Sequence, residues 1–297
     1  MNLKNSLLLT LLILMASCSQ KKTTENYLIE LDEFETLLKD STTKIIDFRK
    51  PAEYKEGHMQ NAINVWRTDI EDSSFPYGGM KASKEQLEML FSNLGINNED
   101  TLVIYDDKGL CEAARLWWVL QYYNFKNVKL LNGGLTTLQN AGKSLTKETT
   151  SFSKSKFKFT GENSRRYFAD KDQILEAVKN NSRILDTRTE DEFIGKQLKK
   201  GAYKAGRIPN SKRIDWANAI NYNGDKKMKS IAELNAVYAG LLDDKEDTLY
   251  VYCHSGVRSA HTTFVLTQLL NYKHVLNYDG SWTEWSYHEN LSLKKDN

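Results

Sequence analysis

Residues 249–260 read Leu-Tyr-Val-Tyr-Cys-His-Ser-Gly-Val-Arg-Ser-Ala, and an apolar helical pattern continues from there through Phe264, Leu266, Leu269 and Leu270. The aromatic and β-branched run predicts a strand covered on both faces, and the periodic stretch after it predicts a helix. Cys253 therefore falls at a strand-to-helix junction, where open parallel sheets bind their ligands. The pattern occurs twice. VIYDDKGLCEAA (103–114) matches VYCHSGVRSAH (251–261) at an offset of 147, as VKLLNGG (128–134) matches VLNYDGS (275–281). Upstream, Asp47, Arg49, Glu53 and Tyr54 recur as Asp186, Arg188, Glu192 and Phe193 at an offset of 139. Two copies of one domain account for every landmark. The change of offset is a net insertion in the second copy, within GKQLKKGAYKAGRIP (195–209).

In each copy short apolar runs alternate with helical patterns. KIIDF, AINVW, TLVIYD and VKLL read as strands in the first copy, and RILDT, KRIDW, TLYVYC and HVLNY in the second. Helices are predicted over 84–94, 111–123 and 134–141, and then near 171–180, 230–242, 257–270 and 281–286. This alternation predicts an α/β fold of two tandem domains, each a mainly parallel sheet flanked by helices. The domains are placed at 27–146 and 168–293, joined by a polar Ser-, Thr- and Lys-rich linker over 147–167.

Composition excludes several classes. A chain of 297 residues with 40% hydrophobic, 11% aromatic and 27% charged residues is globular and long enough for two cores. Its 41 basic and 39 acidic residues leave a net charge of +2 with no basic stripe, which argues against nucleic-acid binding. Cysteines at 18, 111 and 253 are too few and too widely spaced for a disulfide framework or a metal knuckle. Residues 1–18 read as an export signal: Lys4, an apolar run from Leu7 to Met15 that is too short to span a bilayer, then Ala16, Ser17 and Cys18. This resembles the bacterial lipoprotein signal, which implies acylation of Cys18, a tether over 19–26 and membrane attachment through the lipid alone. With Ser19 next, the resemblance implies the periplasmic face of the outer membrane.

The chemistry concentrates in the Cys253 loop. Peptide N–H groups at a helix N-terminus favour an anion, so a cysteine placed there is expected to be a thiolate and a nucleophile. Gly256 permits the tight turn, and Arg258 adds a permanent charge with a fork of donors. An inert strand-end cysteine is the alternative, since free cysteines are commonly buried.

With CHSGVR (253–258), the D-x-R of Asp186 and Arg188, GRIP (206–209) and DGSWTEW (279–285), the chain resembles the tandem-domain sulfurtransferases of the rhodanese superfamily over nearly all of its length after the signal. The resemblance implies a catalytic second domain and an inactive first one. Asp106 stands in the first copy where Cys253 stands in the second, and Cys111 where Arg258 stands. It further implies that Cys253 takes a sulfane sulfur from a donor as a persulfide and passes it to cyanide or a thiol, without a metal or organic cofactor. Donor binding would fall to Arg188 and Arg258 with His254, Ser255, Gly256 and Val257 of the loop. Two donors compete: Arg258 favours thiosulfate, whereas Ser255 fits mercaptopyruvate enzymes, in which Asp47 and His58 of the first domain would assist. With four residues between Cys253 and Arg258, the loop is shorter than that of related cysteine phosphatases, so phosphatase activity is not expected. A monomer is expected. The alternative from another class is a non-catalytic rhodanese-like lipoprotein that binds a partner.

Overall fold

Two five-stranded parallel sheets with one strand order make up the two halves of the molecule. The structure, a computed structural model, describes residues 26–288 and 291–294; Cys18, the signal and most of the tether lie outside the described residues. In chain order the strands are β1 (Leu28–Ile29), β2 (Thr43–Asp47), β3 (His58–Met59), β4 (Ala62–Asn64), β5 (Thr101–Tyr105), β6 (Val128–Leu131), β7 (Leu145–Thr146), β8 (Phe168–Ala169), β9 (Arg183–Asp186), β10 (Ser211–Arg213), β11 (Thr248–Tyr252) and β12 (His274–Tyr278). The first sheet runs β1-β6-β5-β2-β4, and the second, read from its equivalent edge, β8-β12-β11-β9-β10. A short antiparallel ribbon, β3 with β7, closes the first domain. The central strands β5 and β11 hold the most apolar runs because helices cover both of their faces.

Helices Ala113–Tyr122 and Val257–Phe264, which follow β5 and β11, pack against each other and join the domains, with Trp117 edge-on to Phe264 at 4.9 Å. Two hydrogen bonds repeat across this interface at equivalent positions: Lys81 N donates to Asp279 Oδ2 at 3.2 Å, and Met228 N to Asn132 Oδ1 at 2.9 Å. The symmetry is broken by Arg115, fully buried, whose Nη2 donates to Asp279 Oδ1 and to Gly79 O, each at 2.6 Å. The first copy thus grips the second at the C-terminal end of β12.

Some expected boundaries shift. The helix expected over 230–242 is Ile231–Val237, with Gly240 at φ +67° beyond its end, and the helix expected over 257–270 changes to a π-helical turn at Val265–Leu269. The segment 147–167 is not a free linker. Phe157 and Phe159 are buried in the first core, Phe157 N donates to Ser92 Oγ, and Phe159 N to Glu88 Oε1. Charges interleaved with these phenylalanines give the stretch its polar composition while its apolar residues face inward.

The D-x-R motifs explain how strands β2 and β9 end. Asp186 accepts from Arg188 N and Nε, each at 2.9 Å, and from Nη2 at 2.5 Å, while Nη2 also reaches Gly206 O at 2.9 Å. Asp47, Arg49 and Gly57 O repeat the arrangement in the first domain. Both ion pairs are almost completely buried. Removing one partner would strand the other charge in the interior, so Arg188→Met is expected to cost about 3–5 kcal/mol. The shift of its urea unfolding midpoint measures this loss, and a change below about 1 kcal/mol would show the pair to be dispensable.

Candidate active site

β11 ends at Tyr252, and the next residues wrap a tight loop whose Gly256, at φ +76°, caps the helix that starts at Val257. A Cβ at Gly256 would lie 2.7 Å from both Arg115 Nη1 of the opposite domain and Asp279 O of its own, so only glycine fits between them. Ser281 holds the loop from beneath: its Oγ accepts from Cys253 N at 3.2 Å and Gly256 N at 3.0 Å and donates to Tyr278 O at 2.8 Å. Those two amides are therefore spent. The amides of Ser255 and Ser259 remain for the Cys253 sulfur, together with the Ser259 hydroxyl, which is fully buried and has no nitrogen or oxygen partner. Burial alone would push the Cys253 thiol up, but the Arg258 charge, the Ser259 hydroxyl and the two amides outweigh it and bring its pKa below the ordinary thiol value.

Arg258 is fixed rather than free. Its Nη1 and Nη2 donate to Glu192 Oε2 and Oε1 at 2.6 and 2.8 Å, a bidentate pair. Burial raises the Glu192 pKa and Arg258 lowers it, and with help from Lys199 and Arg188 the result is about 2. Glu192, the third member of the 139-residue repeat after the D-x-R, was not among the expected site residues. Its signal was there, since a buried carboxylate opposite a loop arginine completes an ion pair. His254 is held neutral, burial first and Lys199 second lowering its pKa to about 4, and its Nε2 donates to Lys200 O at 3.0 Å.

Cys253, His254, Ser255, Val257 and Arg258 line a cavity of about 400 Å³ that the first domain closes with Arg67, Glu71, Lys108, Cys111 and Glu112. Gly256 shapes this cavity from behind without lining it. Arg188 is a correction: it lies outside the cavity, its guanidinium committed to Asp186 and Gly206 O and stacked 4.8 Å from the Trp282 ring. Asp47 and His58 are also outside. Asp47 is held by Arg49 and by Tyr105 Oη at 2.5 Å. The His58 ring nitrogens face Tyr54 O at 2.8 Å and Glu148 O at 3.0 Å, with its ring stacked on Tyr54. The arrangement therefore leaves the expected assisting pair no path to Cys253. Among the described residues no group of three His, Cys, Asp or Glu could hold a metal ion, and no helix is long and apolar enough to cross a membrane.

The first copy keeps the loop and replaces its centre. Asp106 carboxylate oxygens accept from Lys108 N and Leu110 N, each at 2.9 Å, Glu112 N at 2.8 Å and Ala113 N at 3.0 Å. Cys111, reached by sequence only as a loop residue, lines the shared cavity, where burial and Glu112 push its thiol well above the ordinary value.

The signature of the rhodanese-like domain matches residues 30–141 and again 170–288. The chain belongs to the rhodanese family. It is 34% identical over 269 residues to the "Sulfur carrier protein TtuD" of Thermus thermophilus, covering 87% of this chain and 93% of that protein. With a Saccharopolyspora erythraea protein named "Putative thiosulfate sulfurtransferase" it shares 37% identity over 244 residues, covering 78% and 83% of the two chains. Among solved structures, SseA from Escherichia coli, a 3-mercaptopyruvate sulfotransferase, superposes with a TM-score of 0.74 at 24% identity, covering 86% of this chain and 99% of its own. The anaerobic ergothioneine biosynthesis enzyme from Chlorobium limicola gives 0.80 at 21%, covering 93% and 71%. This rhodanese is accordingly a tandem-domain sulfurtransferase of the rhodanese type.

The site predicts how the two thiols of the cavity differ. Iodoacetamide should alkylate Cys253 at neutral pH and leave Cys111 unmodified. In Arg258→Met the midpoint of the pH–rate curve should move up by about one unit or more, since the largest of the opposing charges is lost. Mass spectrometry of the two cysteine peptides measures both, and an unmoved midpoint would remove Arg258 from the activation of the thiol.

Proposed function

We propose that this rhodanese moves the outer sulfur of thiosulfate to cyanide or a thiol through a persulfide on Cys253. The observation that carries this is the buried Cys253 thiol with a lowered pKa at the floor of a cavity lined by Arg67, Lys108, Lys199, Lys200 and Arg258 against Glu71 and Glu112. In the first half-reaction the thiolate attacks the outer sulfur. A new S–S bond forms, the S–S bond of thiosulfate breaks, and sulfite leaves with the electron pair. In the second, the acceptor attacks the terminal sulfur and the thiolate leaves, so that cyanide becomes thiocyanate. The loop amides and the Ser259 hydroxyl serve both anions because they are already aimed at the sulfur. Neither half-reaction needs a metal or organic cofactor.

Thiosulfate is favoured as donor because a dianion suits a cavity with a surplus of cations. Ser255, which lines the same cavity, supports mercaptopyruvate as the second reading. Against it, Asp47 and His58 are committed elsewhere. Comparison of kcat/KM for the two donors separates the readings, and a higher value for mercaptopyruvate would reverse the preference.

Cyanide-dependent release of thiocyanate is expected from the wild type and at least 1,000-fold less, on the order of what loss of a nucleophile costs, from Cys253→Ser. A wild type inactive with every donor and acceptor would favour a partner-binding protein instead. No Cys253-dependent hydrolysis of an aryl phosphate is expected, since the loop is one residue shorter than a phosphate cradle. The same reading attaches the enzyme to the outer membrane through acylated Cys18. Incorporation of a labelled fatty acid, lost in Cys18→Ala, checks this.

A further inference from the structure

The inserted segment of the second copy forms the cavity wall on the Cys253 side. Gly57 and Gly206, which accept the same arginine bond in the two domains, are 149 residues apart, against 139 for Arg49 and Arg188, so ten residues are added between these points. An addition of this kind is commonly a loose surface loop. Here its backbone is pinned at three places: Lys200 O accepts from His254 Nε2 at 3.0 Å, Tyr203 N donates to Ser286 Oγ at 3.0 Å, and Lys204 O accepts from Trp282 Nε1 at 2.8 Å. Gly201, at φ +100°, makes the turn that lets Lys200 O meet His254.

The segment brings Lys199, Lys200 and Gly201 to the cavity. The cavity arginines are already engaged, Arg67 with Glu112 and Arg258 with Glu192, and Arg188 lies outside. The Lys199 carbonyl accepts from Ala202 N at 3.2 Å, but its ammonium has no hydrogen-bond or ion-pair partner among the described residues, while it shares its electrostatic field with Arg258, Glu192 and Cys253. Lys199 keeps an exposed side chain at the cavity; partial desolvation there and then the Arg258 charge lower its pKa, and an incoming anion would relieve that repulsion.

The geometry points to Lys199 as the residue that binds the anionic end of the sulfur donor over Cys253, with His254 as the positioning residue that fixes the backbone beside it. This assignment rests on the sulfur-transfer reading of the cavity and gives the insertion a role in specificity. It also gives His254 a role other than acid–base chemistry: a neutral strut whose Nε2–H holds the Lys200 carbonyl.

The test uses the full chain and two alkylating probes of nearly equal size, iodoacetate and iodoacetamide, with rates read at the Cys253 peptide by mass spectrometry. Their ratio cancels any change in the thiolate population and reports only the attraction of an anion to the sulfur. In Lys199→Met and Lys199→Gln the iodoacetate-to-iodoacetamide ratio should fall about tenfold, as expected for loss of one nearby charge in a partly buried site, and Lys199→Arg should restore it to within about twofold. His254→Ala should lower the ratio in the same direction, and His254→Gln, which keeps an N–H donor, should lower it less. With thiosulfate, Lys199→Met should raise KM about tenfold with a smaller change in kcat, the mark of lost donor binding. An unchanged ratio in both neutral Lys199 variants overturns the assignment whatever the activity. A lowered ratio in a protein whose wild type transfers no sulfur supports the anion site and overturns the sulfur-transfer reading instead.

Discussion

A loop that turns its peptide N–H groups inward needs a negative charge at its centre. Both halves of this rhodanese meet that demand, by different means. In the first copy a carboxylate is built in: Asp106 satisfies four amides, although burial, opposed by those bonds, still raises its pKa to about 6. In the second the Cys253 sulfur takes that place, and against the cost of burial the Arg258 charge, the Ser259 hydroxyl and the Ser259 and Ser255 amides favour its anion. A neutral thiol would leave the Ser255 and Ser259 amides without a good acceptor. The loop's geometry and the sulfur's reactivity are therefore one requirement expressed twice.

The interface follows from the same loops. Each lies at the C-terminal ends of its strands, where the domains meet, so the glycine turn of one loop is close to a polar side chain of the other domain. His261 Nε2 donates to Gly109 O at 3.1 Å, and Arg115, paired with Asp279, lies against Gly256. The first copy is thus a wall and a brace for the Cys253 loop of the second. Neither loop could rearrange without breaking buried polar contacts to its neighbour.

The architecture was legible because a repeat carries more information than any single propensity: two D-x-R strands and two strand-to-helix junctions at nearly constant offsets admit one arrangement. The Cys253 loop was legible for a similar reason, since a cysteine, a glycine and an arginine at fixed spacing impose a local geometry. What escaped was long-range. Nothing local to Arg188 shows that Gly206 O, distant in sequence, claims its guanidinium. Nothing near His58 reveals Glu148 O beside its ring. The packing of Phe157 and Phe159 was hidden by the lysines between them. Glu192 was visible as a repeated residue, but its pairing with Arg258 depends on the fold bringing two loops together.

The built-in carboxyl group of Asp106 has a consequence for the Cys253 loop. A cradle of this shape can hold one unit of negative charge on fixed amides without moving. Sulfur transfer through Cys253, as proposed above, would ask no more of it: thiolate and persulfide carry the same charge, and the second sulfur only displaces that charge outward along the S–S bond. Enzymes that acylate or phosphorylate a thiolate change the charge at the nucleophile and must reorganise dipoles around it at each turnover. A rigid cradle, braced from the opposite domain, is an asset in a cycle whose electrostatics stay nearly constant.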